Sequence, residues 1–303
     1  MGQTDSPDAA VLPDSLLLDA GDMQAELLPA HGAALSLLRW RGTDLVVPAR
    51  AGMLPNSSFC GAFLMLPWAN RLDGGRLSFA GVEYHLPINR PEDGTAIHGL
   101  ARDRAWAVAA RSPERAVLRQ VLDEPALPFR YEAELTVAVA PAEFSLSLAV
   151  TNRADTPFPY GAGWHPFFPR PAGTHLRLRA GTVFGRDART LPVAPRPTEA
   201  PARGIDGDEA AYLGLDTHFA EWDGAAAIRW PGGPALDLAA SGAWARNLQV
   251  FAPAGAAVLC VEPVSHVPDA PNRPEFARHG AMTLLGPGES LAARLVLSVR
   301  EAG

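Results

Sequence analysis

Hydrophobic and polar positions alternate with a period of two along much of this chain. Between Tyr131 and Val139, the residues Tyr131, Ala133, Leu135, Val137 and Val139 fall on one side, with Glu132, Glu134 and Thr136 on the other. After the turn residues Pro141-Ala142-Glu143, Phe144, Leu146, Leu148 and Val150 alternate with Ser145, Ser147 and Ala149. Successive side chains of a strand point to opposite faces, so these runs predict a β-hairpin with one apolar face. The run Leu291, Ala293, Leu295, Leu297 and Val299, alternating with Ala292, Arg294 and Ser298, predicts another such strand. Arg76–Leu86 predicts a short strand pair around Ala80-Gly81. Amphipathic helical stretches are scarce. Pro and Gly, 29 and 28 of them, recur between the strand candidates. Many short strands with frequent turn signals predict an all-β sandwich or barrel. Arg186–Glu209, rich in Pro, Ala and Asp, reads as a long surface excursion. No shift in composition divides the chain. One domain over 1–303 is expected, with 1–14 a flexible lead.

Composition narrows the function. The chain is 48% hydrophobic, enough to fill a core. Its formal charge of -7 gives a surface that repels phosphate backbones, so no nucleic-acid partner is expected. All 26 cationic side chains are Arg. The absence of Lys excludes a lysine Schiff base and a phosphate-loop lysine. Cys60 and Cys260 lie in apolar surroundings and read as buried free thiols, with a bridge as the alternative. Clustered cysteines of the CxxC kind, which would hold a metal, are absent. No apolar run is long enough to span a bilayer. The acidic start, with no basic segment before an apolar one, does not read as a signal peptide, so a cytoplasmic location is expected.

The candidate chemistry lies in a few islands. The first is WANRLDGGRLSFAGVEYHLPINRPEDGTAIHGL, Trp68–Leu100. There Asn70-Arg71 follows an apolar run, and the Arg71 fork suits a ligand crowded with oxygens. The competing reading is a salt bridge from Arg71 to Asp73. His98 sits between Ile97 and Gly99, exposed at a loop tip or satisfied structurally. In GWHPFF, Gly163–Phe168, His165 is of a residue type that titrates near neutrality, while Trp164 and Phe167 offer apolar walls for a ring with hydroxyls on its edge. The alternative is an aromatic core cluster with an incidental His. In VEPVSHVPDAPN, Glu262 follows the apolar strand Ala256–Val261. A carboxylate there must be paired or functional, and partial burial would make it a better base. Asp216, in LDTHF, binds a hydroxyl or caps a turn.

Together these segments resemble the aldose 1-epimerase (mutarotase) family, from about Leu27 to Val299. Four landmarks follow the family's order: LPWANRLDGGRLSFAGVEYHLPIN, AIHGL, GWHPFF and VEPVSHVPDAPN. The resemblance implies a galactose mutarotase-like β-supersandwich. It implies Glu262 as general base, His165 as general acid and His98 as a helper at the ring oxygen. Arg71, Asp216, Asn70 and Trp164 would bind the sugar. The implied activity is interconversion of the α and β anomers of an aldohexose, with a monosaccharide as partner, no membrane partner and no cofactor or metal. A monomer or homodimer is expected. Where galactose-type members carry His-Gly-Gly, this chain has His98-Gly99-Leu100. Its continuation resembles the hexose-6-phosphate 1-epimerase branch, for which Arg102 and Arg104 are available. A non-catalytic sugar-binding protein of the same fold is the third reading.

Overall fold

The computed structural model describes residues 14–50, 52–201 and 203–301. Apart from Asp14, the lead expected over 1–14 lies outside them. The hairpin read from the alternation forms in the expected place. Arg130–Ala140 pairs antiparallel with Glu143–Asn152, Leu135 opposite Leu148. Ser290–Arg300 joins on the far side, with Leu146 opposite Leu295. The apolar positions of all three strands are buried, while the alternate positions reach the surface. Arg76–Phe79 and Val82–His85 form the short pair around Ala80-Gly81.

The pairings continue into a 19-stranded sheet that folds over one large core. From Ser290–Arg300 they run through Ala235–Gly242 to the long strand Asp216–Arg229. They then pass through Asn247–Phe251 to Val258–Val264, Gly163–Pro166 and Ala62–Met65. The last three strands are buried along their whole length. They have no wet face, so alternation disappears from their sequence. The two α-helices among the described residues, Glu209–Tyr212 and Ala277–Gly280, have four residues each. No helix among the described residues is long and apolar enough to cross a membrane.

The expected excursion over Arg186–Glu209 is corrected by the structure. Pro192–Pro197 and Gly204–Gly207 are strands, both paired with His175–Arg186. Pro is tolerated on an edge strand because its missing N–H would face away from the ladder. A Pro-rich composition therefore disguised an edge as a loop.

Candidate active site

Four neighbouring strands supply the floor of a cavity of about 400 Å³. Phe63 and His165 face each other across one ladder, and Gln249 and Glu262 across another. A small two-stranded ladder, Arg71–Asp73 with Thr95–Ile97, holds Arg71 and His98 against the same cavity. Asn70 and His98 both adopt left-handed backbone, φ 56° and 64°, and His98 N–H donates to the Asn70 carbonyl at 3.0 Å. Non-glycine residues occupy that region at a cost of about 1–3 kcal/mol, which the surrounding packing must hold in place. Gly99 follows at φ 71°, where a Cβ would lie 2.1 Å from the Leu66 carbonyl oxygen. Only glycine lets the chain turn there and present the imidazole.

The titratable candidates His98, His165 and Glu262 meet. His165 Nε2 lies 3.4 Å from Glu262 Oε1, with both side chains buried. The His165 ring stacks on Phe63 at 4.7 Å and lies 4.6 Å from Phe167. His98 stands edge-on to it at 5.2 Å. Burial pushes the Glu262 carboxyl well above its usual range; Asp216 adds to this and Arg71 opposes it. Burial pulls His165 down to about 3, with Arg102 pushing the same way. His98 is lowered by burial first, then by His165 and three arginines.

Arg71 donates from Nε to Asp93 at 3.1 Å. The expected alternative partner, Asp73, is engaged by Arg76 and Arg189 instead. Asp216 lies 4.0 Å from Arg71. One of its oxygens accepts from Gln249 Nε2 at 2.7 Å, and the other pairs with Arg186 at 2.9 Å. Arg102 lines the cavity and stacks over Phe63, whereas Arg104 turns away to Glu124.

Trp164 does not belong to this group. Its strand alternates, so placing His165 on the cavity side sends Trp164 to the other face. There it is buried against Phe144 and Phe168. Phe167, Phe59 and Phe251 supply the apolar wall.

Three contributors were not anticipated. Gln249 and Arg186 fix Asp216. Gln249 stood out as a lone polar residue between Leu248 and Val250; Arg186 carried no signal. The third is the segment after Glu262, which buttresses the Asn70-Arg71 turn. His266 Nε2 accepts from the Ala69 N–H at 3.1 Å, while Nδ1 faces the Val267 carbonyl at 2.8 Å. These partners require the neutral Nδ1–H tautomer. Asp269 N–H donates to the Arg71 carbonyl, and the Asp269 carboxylate accepts from the Asp73 N–H.

The sequence profile of the aldose 1-epimerase family matches residues 14–298. The chain belongs to the aldose 1-epimerase family. The uncharacterized protein YphB of Escherichia coli K12 is 29% identical over 271 residues, covering 86% of this chain and 90% of YphB. A galactose mutarotase-like protein from Clostridium acetobutylicum superposes with a TM-score of 0.84 at 16% identity, covering 95% of each chain. The galactose 1-epimerase from Lactobacillus acidophilus superposes with a TM-score of 0.73 at 16% identity, covering 95% of this chain and 94% of that one. The epimerase fold of this chain is thus the galactose mutarotase-like one.

Proposed function

We propose that this member of the family is an aldose 1-epimerase, interconverting the anomers of an aldohexose by acid-base ring opening. Glu262 takes the proton of the anomeric hydroxyl. His165 protonates the ring oxygen, assisted by His98, and the C1–O5 bond opens. The aldehyde turns about C1–C2, and the ring closes on its other face with both transfers reversed. Arg71, Asn70 and Asp216 hold hydroxyls, and Phe167 and Phe251 cover the apolar face of the ring. The C1–O5 bond breaks and re-forms with no change of oxidation state, so no redox cofactor is required.

The observation that carries this reading is the close, desolvated His165–Glu262 pair on the cavity floor. Burial drives both groups towards neutrality, which leaves one proton on the pair, on the carboxyl side. Catalysis also requires one proton on the pair, on the imidazole. The two arrangements differ in its position, not in net charge, and the nearby Arg71 favours the carboxylate form. Each positioned transfer contributes roughly 10²–10⁴-fold.

A second reading, the same chemistry on a hexose 6-phosphate, is favoured by Arg102. Its guanidinium lines the cavity, and its Nε lies 3.6 Å from the Asp103 carboxylate without a hydrogen bond. Exchange NMR on a panel of aldoses and their 6-phosphates separates the readings. Acceleration of free aldoses supports the first. Acceleration of the phosphates alone, lost in Arg102→Ala, supports the second. Sugar binding with no acceleration over buffer contradicts both and leaves a sugar-binding protein.

A further inference from the structure

Cys260 plays no part in the proposed acid-base chemistry, yet it lies beside the groups that carry it out. It precedes Glu262 by two residues on Val258–Val264, so the two side chains share the cavity side of that strand. His165 reaches the same place from the adjacent strand. One ligand atom from each residue lies within 4.8 Å of the other two. The thiol is free. Glu262 Oε2 and His165 Nδ1 have no hydrogen-bond partner among the described residues, and the two residues are 1% and 7% exposed.

We propose that His165, Cys260 and Glu262 form an inhibitory site for a thiophilic divalent cation, typically Zn²⁺. Sulfur, imidazole nitrogen and carboxylate oxygen are the ligand types zinc takes. Bonds of ~2.0–2.3 Å bring tetrahedral ligands to roughly 3.5 Å from one another, so side-chain shifts of about 1 Å close this set around the ion. The fourth position faces the cavity and takes a water. As the bonds to the ion form, the thiol proton and the proton held on the Glu262 carboxyl both leave to solvent, and no electrons are transferred. The ion then occupies both proton-transfer groups and stops ring opening. The inhibition rests on the epimerase reading; the cation site itself does not.

The test uses the full chain, stripped of metal and titrated with Co²⁺, then with Zn²⁺. Wild type is expected to gain a thiolate-to-cobalt absorption band that Zn²⁺ abolishes. The band is absent in Cys260→Ser and Cys260→Ala, and it is retained in Cys60→Ser. The Cys260 variants keep basal anomer exchange and require at least about tenfold more Zn²⁺ for inhibition, because losing a direct ligand costs no less than losing an outer-shell partner. Absence of the band in wild type, its persistence in the Cys260 variants, or its loss in Cys60→Ser would overturn the proposal. So would equal zinc sensitivity of wild type and the Cys260 variants. If the band follows Cys260 but wild type accelerates no anomer exchange, the cation site stands and the epimerase reading falls.

Discussion

The stack Arg130–Ala140, Glu143–Asn152 and Ser290–Arg300 and the trio Ala62–Met65, Gly163–Pro166 and Val258–Val264 belong to one sheet but do opposite work. In the first, every other residue meets water. Its charges, such as Glu134 paired with Arg119 at 2.7 Å, are outside and solvated. In the second, both faces are buried, and the titratable groups His165, Cys260 and Glu262 are enclosed with the apolar ones. The first converts apolar area into stability. The second accepts the cost of burying ionisable groups, and that burial holds His165, Cys260 and Glu262 towards their neutral forms.

Substitutions on the two sides should therefore separate rate from stability. The largest effect is expected from Glu262→Gln and His165→Ala, each lowering kcat by about 10²–10⁴-fold. Glu262→Gln should hold or raise the melting temperature, because it removes a buried group that resists ionisation. Leu135→Ala should do the reverse. It costs about 2–5 kcal/mol of stability in a denaturant titration, with kcat unchanged below the transition. Unaltered kcat in the first pair, or a lowered kcat in folded Leu135→Ala, would remove the contrast.

The pH dependence of stability follows from the same enclosure. His165 and His218 are held down to about 3 and His266 to about 4, all chiefly by burial. Below their usual value near 6.5, the unfolded chain binds these protons and the folded chain does not. Stability therefore falls as pH drops from about 6.5 towards 4, by up to about 1.4 kcal/mol per pH unit for each proton. Glu262 works in the other direction. Its raised value means that the folded chain keeps a proton the unfolded chain loses, so its contribution is lost as pH rises through that value. The histidines outnumber it in the acid window. The melting temperature should peak near neutrality and fall on the acid side; a flat profile from 6.5 to 4.5 would contradict the placement of these rings.

Smaller effects test the edges of the comparison. Arg186→Ala should raise KM several-fold and leave kcat nearly unchanged, because Arg186 orients Asp216 without reaching the acid-base pair. Arg186→Lys should restore part of the loss. Glu134→Ala, on the wet face, should change stability by no more than about 1 kcal/mol. A larger loss would mean that the outer face is not the passive surface described.

Legibility followed the same division. Tyr131, Leu135, Phe144 and Leu295 revealed their strands because their neighbours were polar. The site strands have no polar side: Val258–Val264 was legible as an apolar run ending at Glu262, and the others only as short motifs. A motif names residues without saying which way they point. That is why His165 and Glu262 were found together while Trp164, next to His165, proved to face the core. Arg186 and the supports from His266 and Asp269 depend on contacts between segments distant in the chain, for which the sequence holds no local signal.

In the proposed reaction the His165–Glu262 pair flanks a hemiacetal carbon. The most direct test is a crystal structure with a bound aldose. The expected result places the anomeric hydroxyl against the Glu262 carboxylate and the ring oxygen against the His165 imidazole, each at about 2.6–3.2 Å. A sugar seated elsewhere on the chain, or turned so that neither group reaches C1 or the ring oxygen, would contradict it.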